Sequence, residues 1–241
     1  ERAAGSADAL LWQALVFARR GRNDEAWPKL EAARAAFAAA GERAGELRAI
    51  VRLAGLALVR GDEEVHSQLV REAEGYLESG GAAEVADLHL MRAFAADRVG
   101  DLAGMGASNQ AVLALPVVDA DVAACRAIAL INLFTWHQHR GDVAAARSAI
   151  EEAVELAGER GLVPLALLGG FLAAHLDVTT GRLDRAATWL RGLPVGWQDL
   201  LDWHDLACAH VAFGHYHLAT ADWPAADEAL RRGLRVFARA G

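Results

Sequence analysis

The sequence predicts an all-α fold, an α-solenoid of about six antiparallel helix-turn-helix repeats within one superhelical domain over residues 1–241. Three observations predict it. The chain is 54% hydrophobic, and alanine and leucine dominate that fraction with few β-branched clusters, a composition that loses least on entering a helix. Glycines recur at Gly21, Gly61, Gly100, Gly141 and Gly181, with Ala221 next in register, at a spacing of 40 residues with a slip of one. A second series, Gly41, Gly81, Gly161 and Gly241, keeps the same period. Two markers sharing one period denote a repeat array.

Each unit reads as two helices. The first, such as LRAIVRLAGLALVR at 47–60, is apolar on most faces and is expected to be buried. The second, such as AAARSAIEEAVELAGER at 144–160, places Ala146, Ile150, Ala153, Val154 and Ala157 on one helical face and turns Arg147, Glu151, Glu152 and Glu155 to water. The first glycine series marks the short turn inside each hairpin. Asp follows it at Asp62, Asp101, Asp142 and Asp222, and Arg follows it at Arg22 and Arg182. The second series closes the second helices, as glycine does where a helix ends in a left-handed residue. The prolines (Pro28, Pro116, Pro164, Pro194 and Pro224) are read as lying near segment ends. The resulting units are about 1–41, 42–81, 82–117, 118–161, 162–196 and 197–241. A single hairpin leaves part of its first helix uncovered, and stacking in a row covers it.

The third unit breaks the pattern. Gly104 and Gly106 fall inside its second helix, at about 1 kcal/mol each against alanine. Pro116 then ends that segment early. A kink, a shortened helix or raised mobility is expected there. The Gly104-x-Gly106 spacing is only an echo of a phosphate loop, because no strand precedes it and no Lys-Ser/Thr follows. Gly169-Gly170 is read as permitting close helix contact.

Composition narrows the function classes. The net charge is −8 and arginine supplies every basic residue except Lys29, so a phosphate backbone is repelled and direct nucleic-acid binding is not expected. No apolar run reaches the ~20 residues that span a bilayer, and no membrane role is expected. The start of the chain lacks the basic region and cleavage site of a signal peptide. It also does not begin with methionine, as expected of an excerpt from a longer protein. Cys125 and Cys208 lie in apolar helical patterns and are expected to be free thiols in a reducing, cytoplasmic setting.

With these residues in place the chain resembles the tetratricopeptide repeat (TPR) family. That family carries a small residue midway along its first helix, here Ala14, Ala54, Ala93, Ala174 and Gly214. It carries a small-large-small triplet in its second helix, here Ala26-Leu30-Ala33 and Ala146-Ile150-Ala153, with looser versions at Ala186-Leu190-Leu193 and Ala226-Leu230-Gly233. Small side chains let helix backbones approach closely. Phe134 and His66 depart from the pattern, and the third unit (Met105, Asn109 and Val112) barely follows it. The 40-residue unit exceeds the family's 34. Units of this length with ARAAFAAAGE-like endings are similar to the repeats of large bacterial regulators, including maltose-regulator-like activators and signal-transduction ATPases. The resemblance implies a right-handed superhelix.

It also implies a concave groove lined by the first helices. Carried over by position, the groove comprises Leu11, Leu15 and Arg19, then Arg48, Val51 and Leu58, then Asp87, Leu90, Phe94 and Arg98. It continues with Ile131, Thr135, Gln138 and His139, with Phe171 and His175, and with Val211 and His215. Aliphatic, aromatic, Arg and His side chains together suit a peptide or a moderately apolar ligand.

The other chemistry-bearing clusters read as structural. His204, Cys208 and His215 share one face of a helix, and His210 and His217 share another, but a tetrahedral metal site needs ligands this helix does not supply. His137 is expected to face the core and His139 the groove. Asp199, Asp202 and Asp205 are read as sitting in the first turns of one helix, where the dipole favours them. No catalytic constellation is present, and no enzyme activity, metal or cofactor is expected. The leading expectation is a protein- or peptide-binding scaffold, the sensory or assembly region of a larger bacterial signalling or transcription regulator. The alternative is a sensor that binds a small-molecule effector inside the superhelix, in a pocket enclosed by Phe94, His139, Phe171 and His175. The last unit shows no extra polar helix, which leaves Leu230, Leu234 and Phe237 as an uncapped surface for pairing into a homo-oligomer.

Overall fold

The computed structural model of the protein describes residues 2–76 and 81–240. Among them are twelve α-helices and one 3-10 turn, with no strand. The helices run in pairs: α1 (Arg2–Arg19) with α2 (Asn23–Ala40), α3 (Arg43–Val59) with α4 (Glu63–Glu74), and α5 (Ala82–Arg98) with α6 (Leu102–Ala114). They continue with α7 (Ala120–His139) and α8 (Val143–Glu159), α9 (Val163–Thr179) and α10 (Leu183–Arg191), and α11 (Trp203–Ala219) and α12 (Trp223–Ala240). The 3-10 turn, Trp197–Leu200, lies between α10 and α11. Contacts gather into two compact units, Glu1–Ala129 and Leu130–Gly241. In the first, α2 packs on α1 and α3, and α3 packs on α4 and α5. In the second, α9 packs on α8, α10 and α11, and α11 packs on α12.

The recurring glycine turn has one geometry throughout. Gly21, Gly61, Gly100, Gly141 and Gly181 all have φ between 72° and 75°, and Ala221 takes the same left-handed turn at φ 59°. In each, the residue after the turn position reaches back to a carbonyl of the last helical turn, as Asp62 N–H does to Ala57 O at 2.9 Å and Asp142 N–H to His137 O at 2.9 Å. This is a Schellman closure, which satisfies carbonyls the helix end leaves open. The same Asp then caps the next helix. Asp62, Asp101 and Asp142 accept the backbone N–H of Val65, Gly104 and Ala145 at 3.1, 2.9 and 3.0 Å. A Gly-Asp pair therefore ends one helix and starts the next within two residues. Arg22 and Arg182 supply no such cap.

The small residues do what the spacing predicts. Ala14, Ala54, Ala93, Ala174 and Gly214 are all buried. A Cβ at Gly214 would lie 2.5 Å from Leu230 Cδ2, and one at Gly169 would lie 2.7 Å from Val154 Cγ2. Ala26, Leu30, Ala33, Ala146, Ile150 and Ala153 are buried from the second-helix side. His66, where an alanine is expected, is buried, and its Nδ1 lies 2.8 Å from the carbonyl of Ala54. A carbonyl only accepts, so Nδ1 carries the proton. Leu234 and Phe237 are exposed on α12 and Leu230 is half-buried, as the sequence suggests.

Several expectations are corrected. Gly81 does not close a helix: α4 ends at Glu74, and Gly81 is extended (φ −79°, ψ −179°) and opens α5, its N–H donating to Glu84 Oε2 at 2.9 Å. Gly241 lies outside the described residues. Pro28 lies inside α2 rather than at its end. Asp199 belongs to the separate 3-10 turn, while Asp202 is the N-cap of α11 and accepts Asp205 N–H at 2.8 Å. The helix α6, with 13 residues, is shortened as expected, but α4 with 12 and α10 with nine are shorter still.

Candidate functional site

In the first unit, α3 and α5 present a face organised by charge. The Arg48 guanidinium stands between Asp8 of α1 at 3.8 Å and Glu84 of α5 at 4.0 Å. One turn further along α3, Arg52 donates to Asp87 Oδ2 at 2.9 Å. The other oxygen of Asp87 faces the Cys125 thiol of α7 at 3.5 Å. Burial pushes the Asp87 carboxyl above its ordinary range, and Arg52, then the thiol, pull it back. Burial, then Asp87, drive the Cys125 thiol well above the ordinary range, so it is an inert hydrogen-bond donor. Arg48 and Arg52 keep over two-fifths of their side chains exposed while their carboxylate partners hold them in place. Such an array offers positioned cationic donors to an approaching chain.

In the second unit the corresponding feature is a histidine pair. His175 Nδ1 of α9 and His215 Nδ1 of α11 are 2.9 Å apart, with ring centroids 4.8 Å apart. Thr135 of α7 holds the same register 40 positions earlier and is half-buried, bonded to the Ile131 carbonyl at 3.5 Å. Burial lowers the His175 pKa below the ordinary imidazole range, and the His215 ring adds to the shift.

The residues expected to line a groove divide by exposure. Leu11, Val51, Asp87, Leu90, Ile131 and Phe171 are buried. Leu15, Leu58, Phe94, Thr135, His175, Val211 and His215 are half-buried, and Arg19, Arg48, Arg98, Gln138 and His139 are exposed. Arg98 lies 4.0 Å from Glu63 of α4 rather than beside another first helix. Phe171 packs on Trp197 and Phe213, at centroid distances of 5.1 and 6.0 Å, so it cannot wall an open cavity. His137 is half-buried with Nδ1 enclosed, and His139 is exposed. His204 pairs with its neighbour Asp205 at 3.5 Å, and no cluster of three or more metal-ligating side chains occurs among the described residues.

Some features were not singled out from sequence. Arg52 and Glu84, central to the charged face, sit one turn from named positions. Trp12 and Val16 of α1 are exposed beside Arg20, Arg22 and Lys29 around an open hollow. The nine-residue α10 is flanked by an apolar cleft of about 230 Å3 walled by residues such as Val163, Leu167, Trp189 and Leu193. Its sequence signal is Gly192 followed by Pro194, which stop a helix that runs on in other units.

No family model matches the chain, and no curated protein matches it by sequence. Among solved structures, BtubC (BKLC) from P. vanneervenii is 19% identical with a TM-score of 0.61, over 95% of this chain and 91% of that one. The apo form of RapI is 9% identical with a TM-score of 0.59, over 97% and 98%. A Podosopora anserina kinesin light chain of nearly identical TPR-like repeats is 15% identical over 99% and 97%, but its TM-score of 0.38 is too low to support an argument. At these identities the first two likenesses are of fold, and fold alone does not carry function. The helix pairs, their small-residue contacts and these two matches make the chain, by fold, an all-α array of helical hairpins.

Proposed function

We propose that the chain is a protein- or peptide-binding scaffold that engages its partner through the charged face of α3 and α5. The observation that carries the reading is the placement of Arg48 and Arg52 beside carboxylates of neighbouring first helices, Arg52 hydrogen-bonded to Asp87 at 2.9 Å and Arg48 in looser ion pairs with Asp8 at 3.8 Å and Glu84 at 4.0 Å. Ordering a long side chain costs free energy on binding, and here the protein has already met much of that cost. A partner segment with acidic side chains fits the two guanidinium groups. The role is one of binding rather than catalysis.

The same reading places the chain in a larger bacterial signalling or transcription regulator, as its sensory or assembly region, working in the cytoplasm. The regulator-like unit length and repeat endings support this. No helix among the described residues is long and apolar enough to cross a membrane.

The test is affinity capture from the source cells with the wild-type chain and with an R48A/R52Q variant, which replaces both guanidinium groups with neutral side chains. The proposal expects a reproducible partner on the wild type that the variant retains about tenfold less. No reproducible partner, or equal retention by the variant, refutes it.

A further inference from the structure

A second site lies in the hairpin of α11 and α12. Between these helices and the 3-10 turn lies a pocket of about 300 Å3, at the lower end of the range for small-ligand sites. It exists because α10 stops after nine residues, whereas α8 and α12 run 17 and 18. The chain then turns, and the 3-10 turn lays Trp197 against Phe171 and Phe213, filling only part of the space a full second helix takes.

The remaining pocket has an aromatic floor and a polar rim. The Trp197 and Phe213 rings lie 5.9 Å apart at 29°, and Phe213 and His217 lie 6.5 Å apart at 19°, so Phe213 stacks with both. On the rim, Arg232 gives its Nε to Glu228 at 2.7 Å. Its terminal amino groups have no hydrogen-bond partner among the described residues, and neither do the imidazole of His210 and the amide of Gln198. Glu228 is shared with Arg235 at 3.5 Å, so one carboxylate faces two guanidinium groups. Burial, then Arg232 and Arg235, hold His210 below the ordinary imidazole range, and Glu228 pulls it partly back.

We propose that this pocket binds a small planar anion, an aromatic carboxylate of one or two rings. The ring lies against Trp197 and Phe213, the carboxylate takes the two terminal amino groups of Arg232, and His210 and Gln198 donate from the sides. A cation meets the arginines, a neutral aromatic leaves the guanidinium unanswered, and an inorganic anion makes no use of the floor.

The test uses naphthalene-2-carboxylate and its neutral amide as probes on the full chain, read by saturation-transfer NMR and calorimetry. The carboxylate is expected to bind with saturation transferred to its ring protons, and the amide to bind about tenfold more weakly or worse. R232Q removes the exposed fork and is expected to weaken the carboxylate about tenfold. R231Q, whose arginine pairs with Asp227 on the same helix, leaves the affinity unchanged. The proposal is overturned if the carboxylate shows no binding at millimolar concentration, if the amide binds equally well, or if R232Q binds like the wild type. Because none of these variants touches α3 or α5, the outcome is independent of partner capture.

Discussion

His175 and His215 stand at the same register of successive first helices and meet nitrogen to nitrogen at 2.9 Å. Two imidazole nitrogens at that distance share one proton, one ring donating and the other accepting. Burial, then the neighbouring ring, lower the His175 pKa below its unfolded value of about 6.5. The unfolded chain therefore binds more protons in the interval between the two values, and folding stability falls as the pH drops through it. Stability from this group is fully present above about pH 6.5 and is lost as the pH falls through the folded-state value. We expect the urea midpoint to be lower at acid pH than at pH 7.5, and H175Q to flatten that difference. His89 and His210, lowered in the same direction, leave a residual slope, which His204, raised by its bond to Asp205, partly offsets. An unchanged profile in H175Q contradicts the account.

The repeated turn makes a paired prediction. Ala221 alone among the six turn residues bears a Cβ in the left-handed region, which costs about 1 kcal/mol. A221G is expected to raise stability by up to that amount, less the entropy of the added glycine. G141A places a Cβ in open space at φ 72° and is expected to lose about 1 kcal/mol through backbone strain alone. Urea titration of both variants checks the sign.

Capping gives the third. Asp142 accepts the Ala145 N–H, whereas Arg182 holds the same position with no side-chain cap. R182D is expected to stabilise, and D142A to destabilise, by about 1 kcal/mol each. Chemical denaturation of the two variants separates this from a general charge effect, because on charge alone an acidic chain gains from D142A and loses from R182D.

Asp177 gives the fourth. Its carboxylate is fully buried and is met by Arg147, by Trp189 Nε1 at 3.2 Å and by Arg185 at 3.5 Å. Arg147 is itself largely buried, while Arg185 is half-exposed and also holds Glu151. Removing Arg147 strips a buried charge of its enclosed partner, and R147A is expected to cost about 3 kcal/mol. R185A is expected to cost about 1 kcal/mol or less. Equal losses in the two variants are the contrary result.

The thiols give the fifth. Burial, then Asp205, push Cys208 up to about 11, and Cys125 is higher still. Neither is a thiolate at neutral pH, so a thiol-disulfide reagent is expected to modify both slowly in the folded chain and rapidly in urea. Fast native labelling of Cys125 contradicts its hydrogen bond to Asp87.

What was legible in the sequence was whatever recurs. Gly61 and Asp62 encode a helix end and a helix start in adjacent residues, so the hairpins could be counted before any coordinates. Ala54 and Gly214 announced close contacts because only small residues fit there. His175 and His215, 40 positions apart, were placed on one face by the same period. Conformation at a single glycine was not legible: Gly81 keeps the spacing of Gly41 and Gly161 but is extended. Exposure was only partly legible, since Val51 and Phe171 are expected to line the groove yet are buried. The pocket beside Trp197 was hidden because it comes from an absence of helix after Arg191, and periodicity reports what repeats rather than what stops.

The central claim is that the first-helix face of α3 and α5 is where a partner binds. Hydrogen–deuterium exchange of the chain, alone and with its captured partner, tests it most directly. The account predicts new protection in α3 and α5 around Arg48, Arg52 and Asp87, absent in R48A/R52Q. Protection confined to the second helices α2 and α4, with α3 and α5 unchanged, contradicts it.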